Sequence, residues 1–161
     1  MKKLFTALRS AVFSAGFVFL WGWVAWGLHL RYDTSLDFAL PEWTRAPGIA
    51  LMAAGGILAF ACITTFFTRG EGTPAPFDPP RKFVATGPYK CVRNPMYIGG
   101  FITLLGFGFY ENSPAILIFA PPWLLATHLM VIFYEEPHLR ATFGAPYEDY
   151  CRSVHRWLPR P

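Results

Sequence analysis

Long stretches without a charged side chain are the feature that most constrains how this sequence folds. Residues 10–30, 46–68 and 112–134 contain no Lys, Arg, Asp or Glu. Each is as long as the roughly 20 apolar residues that a helix needs to cross the hydrocarbon core of a bilayer. Charged residues make up 15% of the chain, against roughly 25% in soluble domains, and 53% of it is hydrophobic. The sequence therefore predicts an all-α integral membrane protein.

We assign four transmembrane helices to these stretches and to a shorter, glycine-rich one. Their predicted bounds are about 10–30, 46–68, 95–110 and 113–134, within a single membrane domain over residues 1–161. The two longest segments outside the bilayer are then a proline-rich loop at 69–94 and a tail at 135–161. A basic N-terminus before the first span is also typical of a secretory signal peptide. The length of this span, its tryptophans and the lack of a clear cleavage site favour an uncleaved helix.

The 14 Lys and Arg residues are sorted by loop. Twelve lie in the N-terminus, the 69–94 loop or the tail, whereas only Arg31 and Arg45 lie in the other two connections. Cytoplasmic loops of membrane proteins carry the excess of Lys and Arg. The termini and the long loop are therefore predicted to face the cytoplasm, at the inner membrane of a prokaryote. The net charge of +4 reflects this topology, and we reject nucleic acid as a partner.

The long loop is predicted to be ordered although it lacks regular structure. Residues 68–95 hold six prolines, a density that prevents a regular helix. A loop of this length is usually either functional or disordered. Aromatic residues such as Phe83 and Tyr89 favour a packed loop over a disordered one.

The tail is predicted to form two short helices. Gly144 suits the C-terminus of the first helix, and Pro146 suits the first turn of the second. Tyr147 and Tyr150 face the same way at helical spacing. The second helix should therefore lie on the membrane or on the long loop.

Two adjacent carboxylates, Glu135 and Glu136, stand where the fourth predicted span ends. A helix C-terminus disfavours negative charge, so the pair is either an ordinary charged cap or a ligand-binding site for ribose hydroxyls or an amino group. His128 lies seven residues earlier, where it lines the same cavity or makes a packing hydrogen bond. The cysteines and histidines lack metal-site spacing, and no metal is predicted.

A second polar block, GPYKCVRNPMYIG, occupies residues 87–99. Pro95 suits the first turn of the third span, where backbone N–H groups can bind an anion. Arg93 adds a fixed positive charge, or serves as a plain cytoplasmic anchor. Tyr89 and Tyr97 offer ring faces that suit an adenine or a sulfonium cation.

Together these blocks resemble the isoprenylcysteine carboxyl methyltransferases and the related phospholipid N-methyltransferases. The family pattern runs Gly-x-Tyr, Arg-His-Pro-x-Tyr-x-Gly, a hairpin of two spans, Glu-Glu and Phe-Gly-x-x-Tyr. Here it reads GPYKCVRNPMYIG and then EEPHLRATFGAPYEDY, at the expected spacing. The resemblance covers about residues 81–159.

The resemblance implies S-adenosyl-L-methionine as the cofactor, in a cavity facing the cytoplasm. The expected substrate is a membrane lipid or isoprenoid-like small molecule that enters from the bilayer. The implied cofactor-binding residues are Arg81, Lys82, Phe83, Val84, Tyr89, Asn94, Pro95, Met96, Tyr97 and Glu135. The residues expected to support catalysis are Arg93, Asn94 and Glu136.

Two positions depart from the family pattern. Asn94 replaces the motif histidine; it can exchange hydrogen bonds but cannot titrate near neutral pH. Val131 occupies the position of an arginine that meets the substrate carboxylate in prenylcysteine methyltransferases, which counts against that substrate. The alternatives are a non-catalytic four-helix scaffold or transporter subunit, and an NADPH-dependent lipid reductase. The sequence identifies neither the methyl acceptor nor the oligomeric state.

Overall fold

The computed structural model describes residues 2–36, 38–70 and 82–159, without the side chains of residues 2–7, 9–11 and 14. Its α-helices are α1 (Lys2–Leu36), α2 (Arg45–Thr65), α3 (Pro95–Tyr110), α4 (Pro114–Met130), α5 (Glu136–Phe143) and α6 (Ala145–Ser153). Short 3-10 turns cover Glu42–Thr44 and Gly87–Lys90, and π-helical turns cover Phe66–Gly70 and Val131–Glu135. Over these ranges the chain contains no strand, which confirms the all-α prediction.

Helices α2 and α3 pack closely through glycines. A Cβ on Gly106 would lie 2.6 Å from the carbonyl oxygen of Gly48, and one on Gly99 would lie 2.8 Å from that of Gly55. Real Cβ atoms do not approach backbone atoms this closely, so larger residues would push the helices apart. Close backbone approach at small residues is a common way for helices to associate in lipid.

Helices α3 and α4 form the predicted hairpin, which is tied to the N-terminal half of the chain. The backbone N–H of Ala115 donates to Asp33 Oδ1 at 2.9 Å. The Asn112 amide bridges to the backbone of Leu40, at 2.5 Å and 3.1 Å. Helix α1 also packs against α3 and α4 through a core that includes Ala25, Leu104 and Trp123.

The position of the carboxylate pair corrects one prediction. Glu135 and Glu136 were expected at the C-terminus of a helix, but the π-helical turn Val131–Glu135 joins α4 directly to α5. The helical path therefore continues to Phe143, and the negative end of a helix macrodipole does not lie at the pair. The two short tail helices are confirmed, and Gly144 separates them with a φ of +59°.

Two helical stretches, Glu42–Gly70 and Pro114–Phe143, are long and apolar enough to cross a membrane by length and composition. Helix α3 is apolar but shorter, at 16 residues. Large apolar side chains point away from the protein on several helices: Phe19 is 75% exposed, Phe60 68% and Phe133 76%. Extended apolar surfaces of this kind mark contact with a membrane or another protein.

Candidate functional site

A cleft opens where the second polar block, residues 87–99, meets the α4–α5 junction and α6. Its cavity volume is about 100 Å³, which is smaller than the roughly 300–1,000 Å³ of typical ligand-binding pockets. Nine residues predicted for the site line this cleft: Phe83, Val84, Tyr89, Arg93, Asn94, Met96, Tyr97, Glu135 and Glu136.

Two of the other predicted site residues, Lys82 and Pro95, do not line the cleft. Pro95 is buried at the first turn of α3 and fixes the start of that helix. Lys82 is exposed, and its backbone N–H donates to the carbonyl of Gly70 at 3.1 Å. Arg81 falls outside the described residues. The structure thus brings together most, but not all, of the residues that the resemblance implied.

Tyr97 and Glu135 form a hydrogen-bonded pair inside the cleft. The Tyr97 hydroxyl donates to Oε1 of Glu135, which joins α3 to the end of the π-helical turn. Glu135 lies just past residue 134, the end of the fourth predicted span. Burial raises the pKa of the Glu135 carboxyl, and the neighbouring Glu136 charge raises it further, against a lowering by the Tyr97 hydrogen bond.

Glu136, in contrast, is surrounded by arginines. Its side chain is 3% exposed and contacts Arg156 through two hydrogen bonds, of 2.6 Å and 3.0 Å. Arg93 lies 3.1 Å away and Arg140 3.2 Å away. Burial alone would raise the pKa of the Glu136 carboxyl, but the hydrogen bond from Arg156 and the three positive charges hold it below its usual value.

Arg93 is the buried cation of the cleft, with a side chain only 10% exposed. Its Nη1 lies 2.7 Å from Cys151 Sγ and 3.1 Å from Glu136. Its Nε has no hydrogen-bond partner among the described residues. Because an unpaired buried N–H is costly, this atom is suited to meet an anionic group of a ligand.

Asn94 makes its hydrogen bonds to the C-terminal segment. Its backbone N–H and its side-chain Nδ2 both reach the carbonyl of Arg156, at 3.2 Å and 3.3 Å. The residue is buried and also lines the cleft. In this structure the amide at the motif position therefore ties the tail to the start of α3.

An aromatic cluster holds the loop and the tail together. Phe83 lies 5.2 Å from Tyr150 and 5.5 Å from Phe143, measured between ring centroids. The Tyr150 hydroxyl donates to the carbonyl of Tyr89 at 2.6 Å. Helix α6 therefore contacts the loop, one of the two surfaces predicted for it.

Several residues that line the cleft were not predicted for the site from the sequence. Phe66, Leu139 and Phe143 line the cleft. Leu139 and Phe143 follow Glu135 at four-residue steps, a spacing that could have placed them on its face. His128 was a candidate for the cavity, but its Nδ1 accepts a hydrogen bond from Trp157 Nε1 at 2.9 Å, which is the packing alternative.

Several curated proteins are similar to part of this chain. The chain is 31% identical over 81 residues to the nickel-cobalt-cadmium resistance protein NccN of Alcaligenes xylosoxydans xylosoxydans, covering 49% of this chain and 37% of that protein. It is 31% identical over 83 residues to a probable protein-S-isoprenylcysteine O-methyltransferase of Oryza sativa subsp. indica, covering 52% of this chain and 44% of that protein. A protein of the same description from subsp. japonica matches equally.

The matched region spans less than half the length of these curated relatives. A broader match comes from the sequence pattern of the phospholipid methyltransferase family, which fits residues 43–146. That range runs from the turn before α2 to the start of α6 and includes both polar blocks of the cleft. The chain therefore belongs to the phospholipid methyltransferase family.

Proposed function

We propose that this chain is an S-adenosyl-L-methionine-dependent methyltransferase that acts on a lipid or another membrane-dissolved acceptor. The observation that carries the proposal is the Tyr97–Glu135 pair in a cleft lined by aromatic and apolar side chains. Family membership supports methyl transfer as the reaction. The cleft supports a cofactor with both polar and ring-shaped parts.

The residues of the cleft fit this cofactor. Glu135 offers carboxylate oxygens to ribose hydroxyls or to an α-amino group. Apolar and aromatic walls, including Tyr89 and Met96, suit the adenine ring and the sulfonium. The cofactor-binding roles of Phe83, Val84, Asn94 and Tyr97 belong to the same proposal.

When bound, S-adenosyl-L-methionine would supply an already activated methyl group. The protein then has mainly to orient the two reactants and exclude water, since positioning alone can supply much of a rate enhancement. We assign Arg93 to an anionic group of the acceptor, because its Nε is buried and unpaired within the described part of the chain. Glu136 would support catalysis indirectly, by fixing Arg93, because its own oxygens are occupied by arginines.

A membrane location follows from the exposed apolar faces and the sorting of charges. We propose that α1, α2, α3 and α4 cross the bilayer and that the cleft faces the cytoplasm of a prokaryote. Helix α3, with 16 residues, is about 24 Å long. The hydrocarbon core is about 30 Å thick, so the ends of an α3 centred in the bilayer, including Tyr97, would lie just inside the interface. There a water-soluble cofactor could meet a lipid.

The first experiment tests the cofactor. Isothermal titration of the purified protein with S-adenosylhomocysteine and with NADPH should show binding of the former and none of the latter. Glu135→Ala should abolish the binding of S-adenosylhomocysteine. Glu111→Ala is the matched control, because Glu111 follows the far end of α3 and does not line the cleft.

The second experiment identifies the acceptor. Tritiated-methyl transfer from S-adenosyl-L-methionine to total membrane lipid should give a labelled lipid that can be isolated and identified.

The titration also distinguishes the alternative functions. Binding of NADPH in place of S-adenosylhomocysteine would support the reductase alternative. Binding of neither compound would favour a non-catalytic scaffold.

A further inference from the structure

The C-terminal segment lies directly against the turn that presents Arg93 and Asn94 to the cleft. The backbone N–H of Arg93 donates to the carbonyl of His155 at 2.8 Å, and that of Asn94 donates to the carbonyl of Arg156 at 3.2 Å. The hydrogen bond from Trp157 to His128 of α4 fixes the next residue of the segment. The segment is thus attached both to the Arg93–Asn94 turn and to α4.

The side chain of Arg156 provides a second connection to the same turn. Its Nε and Nη2 bind the two oxygens of Glu136, at 2.6 Å and 3.0 Å. The oxygen that accepts from Nε, Oε1, also lies 3.1 Å from Arg93 Nη1. Glu136 therefore carries a continuous polar connection from Arg156 to Arg93.

This connection is sensitive to geometry because Glu136 is almost fully buried, whereas the Arg156 side chain is 34% exposed. Without the two hydrogen bonds that the planar Arg156 guanidinium donates to it, the Glu136 carboxylate could rotate toward Arg93 or Arg140. Lysine has a point charge on a flexible stem and cannot reproduce that two-point contact. The carboxylate that orients Arg93 would then no longer be fixed.

We propose that Arg156 is a positioning residue of the site, which acts through Glu136 to hold the Arg93–Asn94 turn in the geometry used for methyl transfer. This inference rests on the proposed function. Arg156 does not line the cleft, so its effect on the reaction would be indirect. The residue lies beyond residue 146, where the family match ends.

The test combines amide hydrogen exchange with methyl-transfer kinetics on the full-length protein in lipid nanodiscs. In Arg156→Gln, the Arg93 and Asn94 amides should exchange at least tenfold faster, and kcat/KM should fall at least tenfold. The exchange rates and the kcat/KM of Arg156→Lys should lie between those of Arg156→Gln and those of the wild type. Amides in the middle of α3 should keep their wild-type rates, which separates a local change from general unfolding.

Arg152→Gln provides the matched control. Arg152 is an arginine of the same tail, 79% exposed, and it pairs with Asp149 at 3.3 Å rather than with Glu136. Its substitution should leave both the exchange of the turn and the kinetics unchanged. The same measurements are made on Glu136→Gln and on the double variant Glu136→Gln/Arg156→Gln. Adding Arg156→Gln to Glu136→Gln should change the exchange rates and kcat/KM by less than twofold.

Wild-type exchange at Arg93 and Asn94 in Arg156→Gln would overturn the proposal. An undiminished effect of Arg156→Gln in the Glu136→Gln background would overturn the route through Glu136. If Glu136→Gln does not fold, a loss of activity in Arg156→Lys would support the need for a two-point contact, and full activity of Arg156→Lys would contradict it. If the wild type neither binds S-adenosylhomocysteine nor transfers a methyl group, the proposed function fails, whereas the exchange rates still decide whether Arg156 holds the turn.

Discussion

Replacing Glu136 with glutamine should strongly destabilise the part of the structure around the cleft. The carboxylate is 3% exposed and is shared by Arg93, Arg140 and Arg156. Glutamine keeps the shape and one acceptor oxygen but removes the negative charge. The three guanidinium groups would then repel one another without a central anion.

The expected magnitude follows from the exposure of the arginines. Removing one partner of a buried ion pair costs about 3–5 kcal/mol, because it leaves an uncompensated buried charge. Arg93 is buried, whereas the side chains of Arg140 and Arg156 are 40% and 34% exposed and can turn toward water. We therefore expect the lower end of the range, a loss of about 3 kcal/mol in the free energy of unfolding.

The assay is equilibrium unfolding by denaturant in detergent micelles at several pH values. Because the pKa of Glu136 is lowered in the folded state, its stabilising contribution is present above its unfolded pKa of about 4.3. This contribution disappears as the pH falls through the folded value. The difference in stability between wild type and Glu136→Gln should be constant near neutral pH and shrink below about pH 4.3.

Glu148→Gln is the control because Glu148 pairs with one of the same arginines. Its side chain is 46% exposed and lies 2.9 Å from Arg140. An exposed pair of this kind contributes about 0.2–1 kcal/mol. Equal losses of stability in the two variants, or a difference that does not change below pH 4.3, would refute the reasoning about the buried carboxylate.

Three further predictions concern packing, the cofactor and a backbone turn. Gly106→Ala would place a Cβ 2.6 Å from backbone atoms of α2 and should lower the unfolding free energy by about 1–3 kcal/mol. Gly56→Ala is the control, because no neighbouring atom lies within 4 Å of its Cβ, and it should leave the unfolding free energy unchanged. Equal losses of stability in the two variants would contradict the close packing of α2 and α3. Tyr97→Phe removes the hydrogen bond to Glu135 and should weaken S-adenosylhomocysteine binding by about fivefold in calorimetry, the equivalent of about 1 kcal/mol; unchanged affinity would exclude a role for that bond. Gly144→Ala forces a side chain into a backbone with φ of +59° and ψ of −134° and should cost about 1–3 kcal/mol in denaturant unfolding; unchanged stability would contradict the strain.

Much of the secondary structure could be predicted from local patterns. The third span was predicted at residues 95–110 and α3 runs over Pro95–Tyr110, because a proline at one end and a polar turn at the other delimit the apolar stretch. Gly144 ends α5 for an equally local reason, its positive φ. The π-helical turn Val131–Glu135 could not be predicted, because its residues are as compatible with an ordinary α-helix.

The sequence by itself determined that the chain is helical and apolar, and that its polar residues form two blocks at one end of the predicted spans. Those properties depend on residues that are close together in the sequence and on how the charged residues are distributed along it. Only the tertiary structure decided what each carboxylate does: Glu135 pairs with Tyr97, whereas the adjacent Glu136 is surrounded by Arg93, Arg140 and Arg156. The physical reason is that a buried charge is governed by the groups within a few ångströms of it. Here these groups come from segments up to 43 residues away along the chain.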